Sequence, residues 1–259
     1  MKNHPFHLVD NSPWPISGSL GLMTITSGMI MWFHKTNYIL MLIGTTIIIL
    51  TMIQWWRDVV RESTFQGMHT NKVCSSMKIG MIMFIVSEIL FFSSFFWTFM
   101  HSSLSPNVEI GMIWPPYGIK VFNPMNIPML NTMILLSSGM SMTWAHNAII
   151  NKNYSQLMQS KIITIFLGLY FSLLQFYEYF ESPFSLSDSI YGSTFFMSTG
   201  FHGIHVIIGT VFIFVTMLRI NMLHMSDKHH FGFEASAWYW HFVDVVWLFL
   251  YMLIYWWGS

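Results

Sequence analysis

Ile79-Gly80-Met81-Ile82-Met83-Phe84-Ile85-Val86-Ser87-Glu88-Ile89-Leu90-Phe91-Phe92-Ser93-Ser94-Phe95-Phe96-Trp97-Thr98-Phe99-Met100 carries one charge, at Glu88. A transmembrane helix needs about 20 mostly apolar residues. The apolar residues here run on continuously, whereas the strands of a barrel would alternate, so the stretch reads as a membrane-spanning helix. Outward from it, the same pattern recurs at Ile16–Phe33 and Tyr38–Trp56 on one side, and at Pro128–Ile150, Ile162–Phe180, Ser189–Leu218 and Ala235–Trp257 on the other. The first is the weakest, with three glycines among its Ser and Thr; the sixth is long for one bilayer and is expected to tilt or project.

Composition agrees. Of the 259 residues, 54% are hydrophobic and only 8% charged, against roughly 25% charged in a soluble domain. Such a chain has too little charge to cover a water-facing surface. Aromatics reach 18%, and Trp and Tyr favour the membrane interface. Zero net charge gives no basis for a nucleic-acid partner. Cys74 is the sole cysteine, which excludes an internal disulfide and a multi-thiolate metal site. The predicted fold is an all-α integral membrane protein of seven transmembrane helices in one membrane domain, residues 1–259.

Two connections exceed a tight turn. Arg57 to Lys78 separates helices one and two (16–56) from helices three to seven (79–257), a two-plus-five grouping. His101 to Ile127 contains the turn signal Trp114-Pro115-Pro116. Small residues in helix four (Ser137, Ser138, Gly139, Ser141) and helix six (Gly192, Ser193, Ser198, Gly200, Gly203, Gly209) are expected at close helix contacts.

Lys and Arg set the orientation. Lys2, Arg57, Arg61, Lys72, Lys78, Lys152, Lys161, Arg219 and Lys228 fall on the side of the N-terminus, and only Lys35 and Lys120 on the other. The N-terminus is therefore expected inside and the C-terminus outside. Met1 to Pro15 is short and polar and is expected to be neither a transit peptide nor a secretory signal.

Glu88 is the most conspicuous candidate. Its helical neighbours Phe84, Ile85, Phe91 and Phe92 cannot pair with a carboxylate, and an acid at the bilayer centre costs roughly 2.5–3.5 kcal/mol on insertion scales. Desolvation disfavours the charged form, so the protonated acid is expected. Two roles stay open: a proton-related or gating acid, or a protonated acid hydrogen-bonded between helices. His241 and Asp244 share a helical face and are expected to hydrogen-bond. His202 and His205 have a spacing that can hold a metal, with His146 the only obvious helper. Polar packing is the expectation, and no metal is expected in this chain. His229 and His230 are expected to be solvated or lipid-facing, and Glu178 and Glu181 to be exposed. Trp55, Trp56, Arg57, Asp58, Arg61 and Glu62, with His69 and Arg219, gather at one interface and suit a phospholipid head group. The lipid-binding set expected is Trp56, Arg61, Glu62, His69 and Arg219.

Long motifs carry a resemblance. They are Gln54-Trp55-Trp56-Arg57-Asp58-Val59, Arg61-Glu62-Ser63-Thr64, Thr143-Trp144-Ala145-His146, Glu178-Tyr179-Phe180-Glu181-Ser182-Pro183-Phe184, Tyr191-Gly192-Ser193-Thr194-Phe195-Phe196 and Gly200-Phe201-His202-Gly203-Ile204-His205-Val206. The C-terminal run Lys228-His229-His230-Phe231-Gly232-Phe233-Glu234-Ala235 continues through Trp238-Tyr239-Trp240-His241-Phe242-Val243-Asp244-Val245-Val246-Trp247 to Trp256-Trp257-Gly258-Ser259. Together they resemble the cytochrome c oxidase subunit III family, mitochondrial form, over essentially the whole chain; Met68–Ser76 and Asn151–Ser160 diverge.

The resemblance implies a two-plus-five bundle with a cleft that holds bound phospholipid. It implies a place beside subunits I and II and accessory subunits of the terminal respiratory oxidase, in the mitochondrial inner membrane, with the N-terminus in the matrix and the C-terminus in the intermembrane space. That complex passes electrons from cytochrome c to oxygen and pumps protons, with haem a and copper in the partner subunits and none here. The implied role is to stabilise subunit I and to support proton uptake or oxygen access, Glu88 matching the family's intramembrane carboxylate. The alternatives are an independent proton-coupled transporter, which often shows inverted repeats, and a quinol oxidase subunit III, which typically lacks the first two helices.

Overall fold

The computed structural model describes residues 5–258; Lys2 of the orientation count lies outside them. Seven long helices run in order: α1 (Trp14–Lys35), α2 (Ile39–Thr64), α3 (Asn71–Leu104), α4 (Ile127–Ile150), α5 (Tyr154–Phe180), α6 (Ile190–Asn221) and α7 (Phe231–Leu250). A 3-10 turn, Val108–Ile110, lies in the α3–α4 connection, and a π-helical turn, Tyr251–Trp256, continues α7. Among the described residues there is no strand. The all-α, seven-helix expectation holds. The chain separates into two compact units, Met1–Met77 and Lys78–Ser259, the division falling in the first turns of α3.

The helices outrun the apolar spans. The expected connection from Arg57 to Lys78 shrinks to residues 65–70, because α2 continues to Thr64 and α3 starts at Asn71. Intrahelical hydrogen bonds need no lipid, and charges spaced along a helix end are tolerated. Lys161 departs further from expectation. It lies inside α5 with no exposed surface, its Nζ donating to Thr216 Oγ1 at 2.8 Å and sitting 4.5 Å from the centre of the Phe233 ring. It is a core residue, not a loop charge.

Six helices are long and apolar enough to cross a membrane; α4 is the exception. Its reason is internal. Asn131, Thr132, Ser138 and Ser141 of α4 are all buried, and protein partners replace the water they lack. Ser141 Oγ and Thr164 Oγ1 lie 2.7 Å apart, Trp240 Nε1 donates to Ser138 Oγ at 2.9 Å, and Trp247 Nε1 donates to Thr132 Oγ1 at 3.0 Å. The face of α4 turned to protein can carry polarity that its exposed face, with Met133, Leu136 and Met140, does not.

α3 is the opposite case. Ile82, Met83, Phe84, Val86, Ile89 and Leu90 of α3 all stay exposed, a surface suited to lipid or to another membrane protein. Its exposed hydroxyls turn back onto their own helix: Ser87 to the Phe84 carbonyl, Ser94 to that of Phe91, Thr98 to that of Ser94. This satisfies them without water.

The first unit is built on a close α1–α2 hairpin. A Cβ on Gly44 would stand 2.7 Å from Ile25 N, and one on Gly21 would stand 2.7 Å from Ile48 Cδ1. A Cβ on Gly28 would run into the Met41 backbone, so a glycine that made the first span look weak helps the two backbones meet. The second unit instead interlocks large rings. The Trp240 indole fits where a Cβ at Gly168 of α5 or at Gly209 of α6 would stand 2.7 or 2.9 Å from it. Not every small residue serves this purpose: a Cβ on Gly203 would meet nothing within 4 Å.

Candidate functional site

Within the second unit, α3 carries Glu88 and α6 carries His205, and the fold brings Glu88 Oε2 to 3.0 Å from His205 Nε2. The side chains are 21% and 11% exposed respectively. The other ring nitrogen, Nδ1, lies 2.7 Å from the carbonyl oxygen of Phe201. A carbonyl only accepts, so Nδ1 must carry hydrogen and donate. In a neutral ring Nε2 then has a lone pair, which faces the carboxyl. The contact therefore requires one proton between Glu88 Oε2 and His205 Nε2, held by the acid or by the ring. Phe92 meets the imidazole edge-on at 5.1 Å, and Tyr239 stacks at 6.2 Å. The neighbours of Glu88 along α3 are apolar as expected; its partner comes from another helix.

His202 serves elsewhere. It is fully buried, and its Nε2 donates to the Val243 carbonyl at 3.3 Å. Its ring packs on Phe171 and Trp247. The His-x-x-His pair thus divides between two partners and does not converge on one ion. His241 and Asp244 lie 3.9 Å apart, too far for the expected hydrogen bond. Asp244 turns toward α4, where a Cβ on Gly139 would stand 2.6 Å from its Oδ2. The same Oδ2 still faces His241 Nδ1, so the two side chains form an ion-pair contact without the expected hydrogen bond, both set against Gly139.

Two expectations of exposure also fail. Glu178 is 1% exposed and accepts from Tyr255 Oη at 2.6 Å. Beside it, Gln175 Nε2 donates to Tyr255 Oη and Asn131 Nδ2 donates to Gln175 Oε1, a polar chain joining α4, α5 and the π-helical turn. Glu181 is exposed as expected. His230 is buried, its Nδ1 donating to the Ser226 carbonyl at 3.0 Å, while His229 is exposed. His146 is exposed, its ring stacked on Phe233 at 5.8 Å.

The first unit holds most of the interfacial cluster. Glu62 Oε2 lies 2.8 Å from His7 Nε2, and the His7 and His69 rings lie 6.0 Å apart. Asp58 accepts from Trp14 Nε1 at 2.7 Å and pairs with Arg57 at 3.3 Å and Arg61 at 3.7 Å. Thr70 Oγ1 donates to the Pro5 carbonyl at 2.8 Å, so the N-terminal segment is tied down beside this cluster. Trp56 stays exposed, as interfacial anchors do. Arg219 belongs to the second unit, half-buried near the end of α6; a Cβ on Gly232 would stand 2.7 Å from its Nη1.

The sequence reading missed His7, Trp14 and Lys161, and it missed His205 as the partner of Glu88. Each contact joins residues far apart in the chain, and no local spacing marks it. Polar residues stranded in apolar helices were the one available signal that a partner must exist.

Comparison with known proteins agrees with the motifs. Residues 4–259 match the family model described as cytochrome c oxidase subunit III. The chain is 62% identical over 258 residues to the cytochrome c oxidase subunit 3 of Locusta migratoria, covering 100% of this chain and 98% of the relative. Identity to the Drosophila melanogaster protein of that name is also 62% over 258 residues, with the same coverage. The starfish Pisaster ochraceus counterpart is 57% identical over 256 residues, covering 99% of this chain and 98% of the relative. The chain belongs to the cytochrome c oxidase subunit III family and is a membrane-spanning core subunit of that oxidoreductase complex.

Proposed function

We propose that this chain is the non-redox core subunit of mitochondrial cytochrome c oxidase, acting by holding lipid and subunit I in place while an acid–histidine pair carries a proton inside the membrane. The observation that carries the reading is the contact between Glu88 and His205. Two titratable groups share one proton at mid-helix, and both are engaged with each other and the protein rather than converging on a metal. Such a pair can take up or release charge only through its one proton. That fits a part in proton uptake and not in electron transfer.

Lipid binding is proposed at Trp56, Arg61, Glu62 and His69 in the first unit and, on its own, at Arg219 in the second. The engagement of Glu62 with His7 supports a role in orienting a histidine rather than touching phosphate. The uncovered apolar face of α3 supports contact with lipid or with subunits I and II. The N-terminus is proposed to lie in the matrix; protease added to right-side-out mitoplasts should cut near Lys120 and spare the segment near Lys72.

The test is Glu88→Gln in the assembled complex. The amide can still donate to His205 Nε2, so the fold should persist with normal haem content, while turnover or endurance falls. Unchanged turnover, pumping and endurance would reduce the pair to a structural contact. Infrared difference spectra assign the proton: a carboxylic-acid carbonyl band lost in the variant places it on Glu88, and a carboxylate band alone places it on His205.

A further inference from the structure

We propose that His146, His230 and Glu234 form a binding site for a zinc-type divalent cation at the end of the second unit where α4 finishes and α7 begins. The sequence reading expected no metal in this chain. One donor atom from each of the three residues lies within 4.8 Å of the others. Ligands bound tetrahedrally at the usual zinc distances lie about 3.4 Å apart, so small side-chain rotations close the set.

The orientation of each donor supports the site. His230 donates Nδ1–H to the Ser226 carbonyl at 3.0 Å. In a neutral ring Nε2 then carries a lone pair, the arrangement by which metal-binding histidines are usually held. The lone pair faces Glu234 Oε1 at 3.6 Å. A lone pair and a carboxylate oxygen repel unless a proton or a metal ion stands between them, and this position can take either. Lys78 lies 2.8 Å from the other carboxylate oxygen, Oε2, and leaves Oε1 facing His230. His146 completes the set; its ring lies 6.0 Å from that of His230 and rests on Phe233.

The chemistry selects the ion. Two imidazoles and one carboxylate, whose charge Lys78 already offsets, suit zinc and its neighbours. Calcium and magnesium demand more oxygen. Three protein ligands leave a fourth position for water. His146 is exposed and stands one turn from the end of α4, so an ion can enter from outside the apolar layer.

The test uses the assembled oxidase complex, treated with chelator and then titrated with a zinc salt alone. Anomalous diffraction at the zinc edge should show a peak about 2.0–2.2 Å from one nitrogen each of His146 and His230 and from Glu234 Oε1. Tightly bound zinc should fall by one equivalent in His146→Ala, and this site's affinity should weaken at least tenfold in Glu234→Gln. No peak there at saturating zinc, or equal stoichiometry with and without His146, would overturn the site. Should His146→Ala not assemble, diffraction from the unsubstituted complex decides alone.

Discussion

In the first unit, α1 and α2 meet backbone to backbone around Gly28 and Gly44; in the second, Trp240 slots between Gly168 and Gly209 and reaches a serine of α4 with its N–H. The hairpin buries little, since only 11% of the apolar stretch of each of its helices is covered within the chain. The π-extended α7 reaches 56%. Lipid tails are as apolar as any side chain, so helices in a bilayer gain little from hiding apolar surface. What remains is fit and hydrogen bonding. One unit uses fit with almost no side chain, the other uses large rings with polar handles. The lesson is that the second unit has a core of its own, while the first depends on the surroundings of its exposed faces.

The sharpest break would come at Trp240. Trp240→Ala should destabilise the second unit by about 3–5 kcal/mol, the range for truncating a large buried aromatic, and leave Ser138 without its donor. Thermal unfolding of the complex in detergent, followed by helix content, would show it; a loss below about 1 kcal/mol would erase the contrast. Next comes Gly44→Val, which forces methyl groups against Ile25 and Thr24 and should cost about 1–3 kcal/mol. Limited proteolysis at residues 65–70 should accelerate while haem content persists, because the second unit does not rest on this contact.

Glu88→Ala sharpens the comparison within the second unit. It leaves His205 Nε2 facing nothing polar and should cost about 1–3 kcal/mol, whereas Glu88→Gln should cost less than about 1. Equal losses in the same melting assay would argue that the carboxyl and its shared proton, not shape, matter there. Trp14→Phe in the first unit removes the donor to the partly exposed Asp58 and should loosen the start of α1 only slightly. Faster hydrogen exchange at Ser17, with α5 unchanged, is the expected signature.

The smallest effect is at the exposed turn before α6. Asp188 accepts from the backbone N–H of Ser185 at 2.7 Å and from its hydroxyl at 2.9 Å, which holds its carboxyl below the ordinary value of 3.8. A lowered value in the folded state means that the turn's contribution is present above pH 3.8 and fades as pH falls through the lowered value. Protection of the Ser185 amide should therefore persist at pH 5, after correction for intrinsic exchange, and decline only under more acid conditions. Loss already at pH 5 would remove the carboxylate from the turn.

Continuous apolar runs, the scarcity of charge and the long terminal motifs were enough to determine seven helices, a membrane setting and the family, because each is a property of neighbouring residues and of the solvent they require. Glu88 and the histidines were also visible, since a polar group inside an apolar run declares itself. Tertiary structure alone decided their partners. It brought His205 to Glu88, set Asp244 against Gly139, buried Lys161 and Glu178, and brought His146 to the His230–Glu234 pair. Helical spacing governs only residues within a turn or so of each other. Which faces of two distant helices meet depends on where glycines permit approach and where large rings fill the space between them.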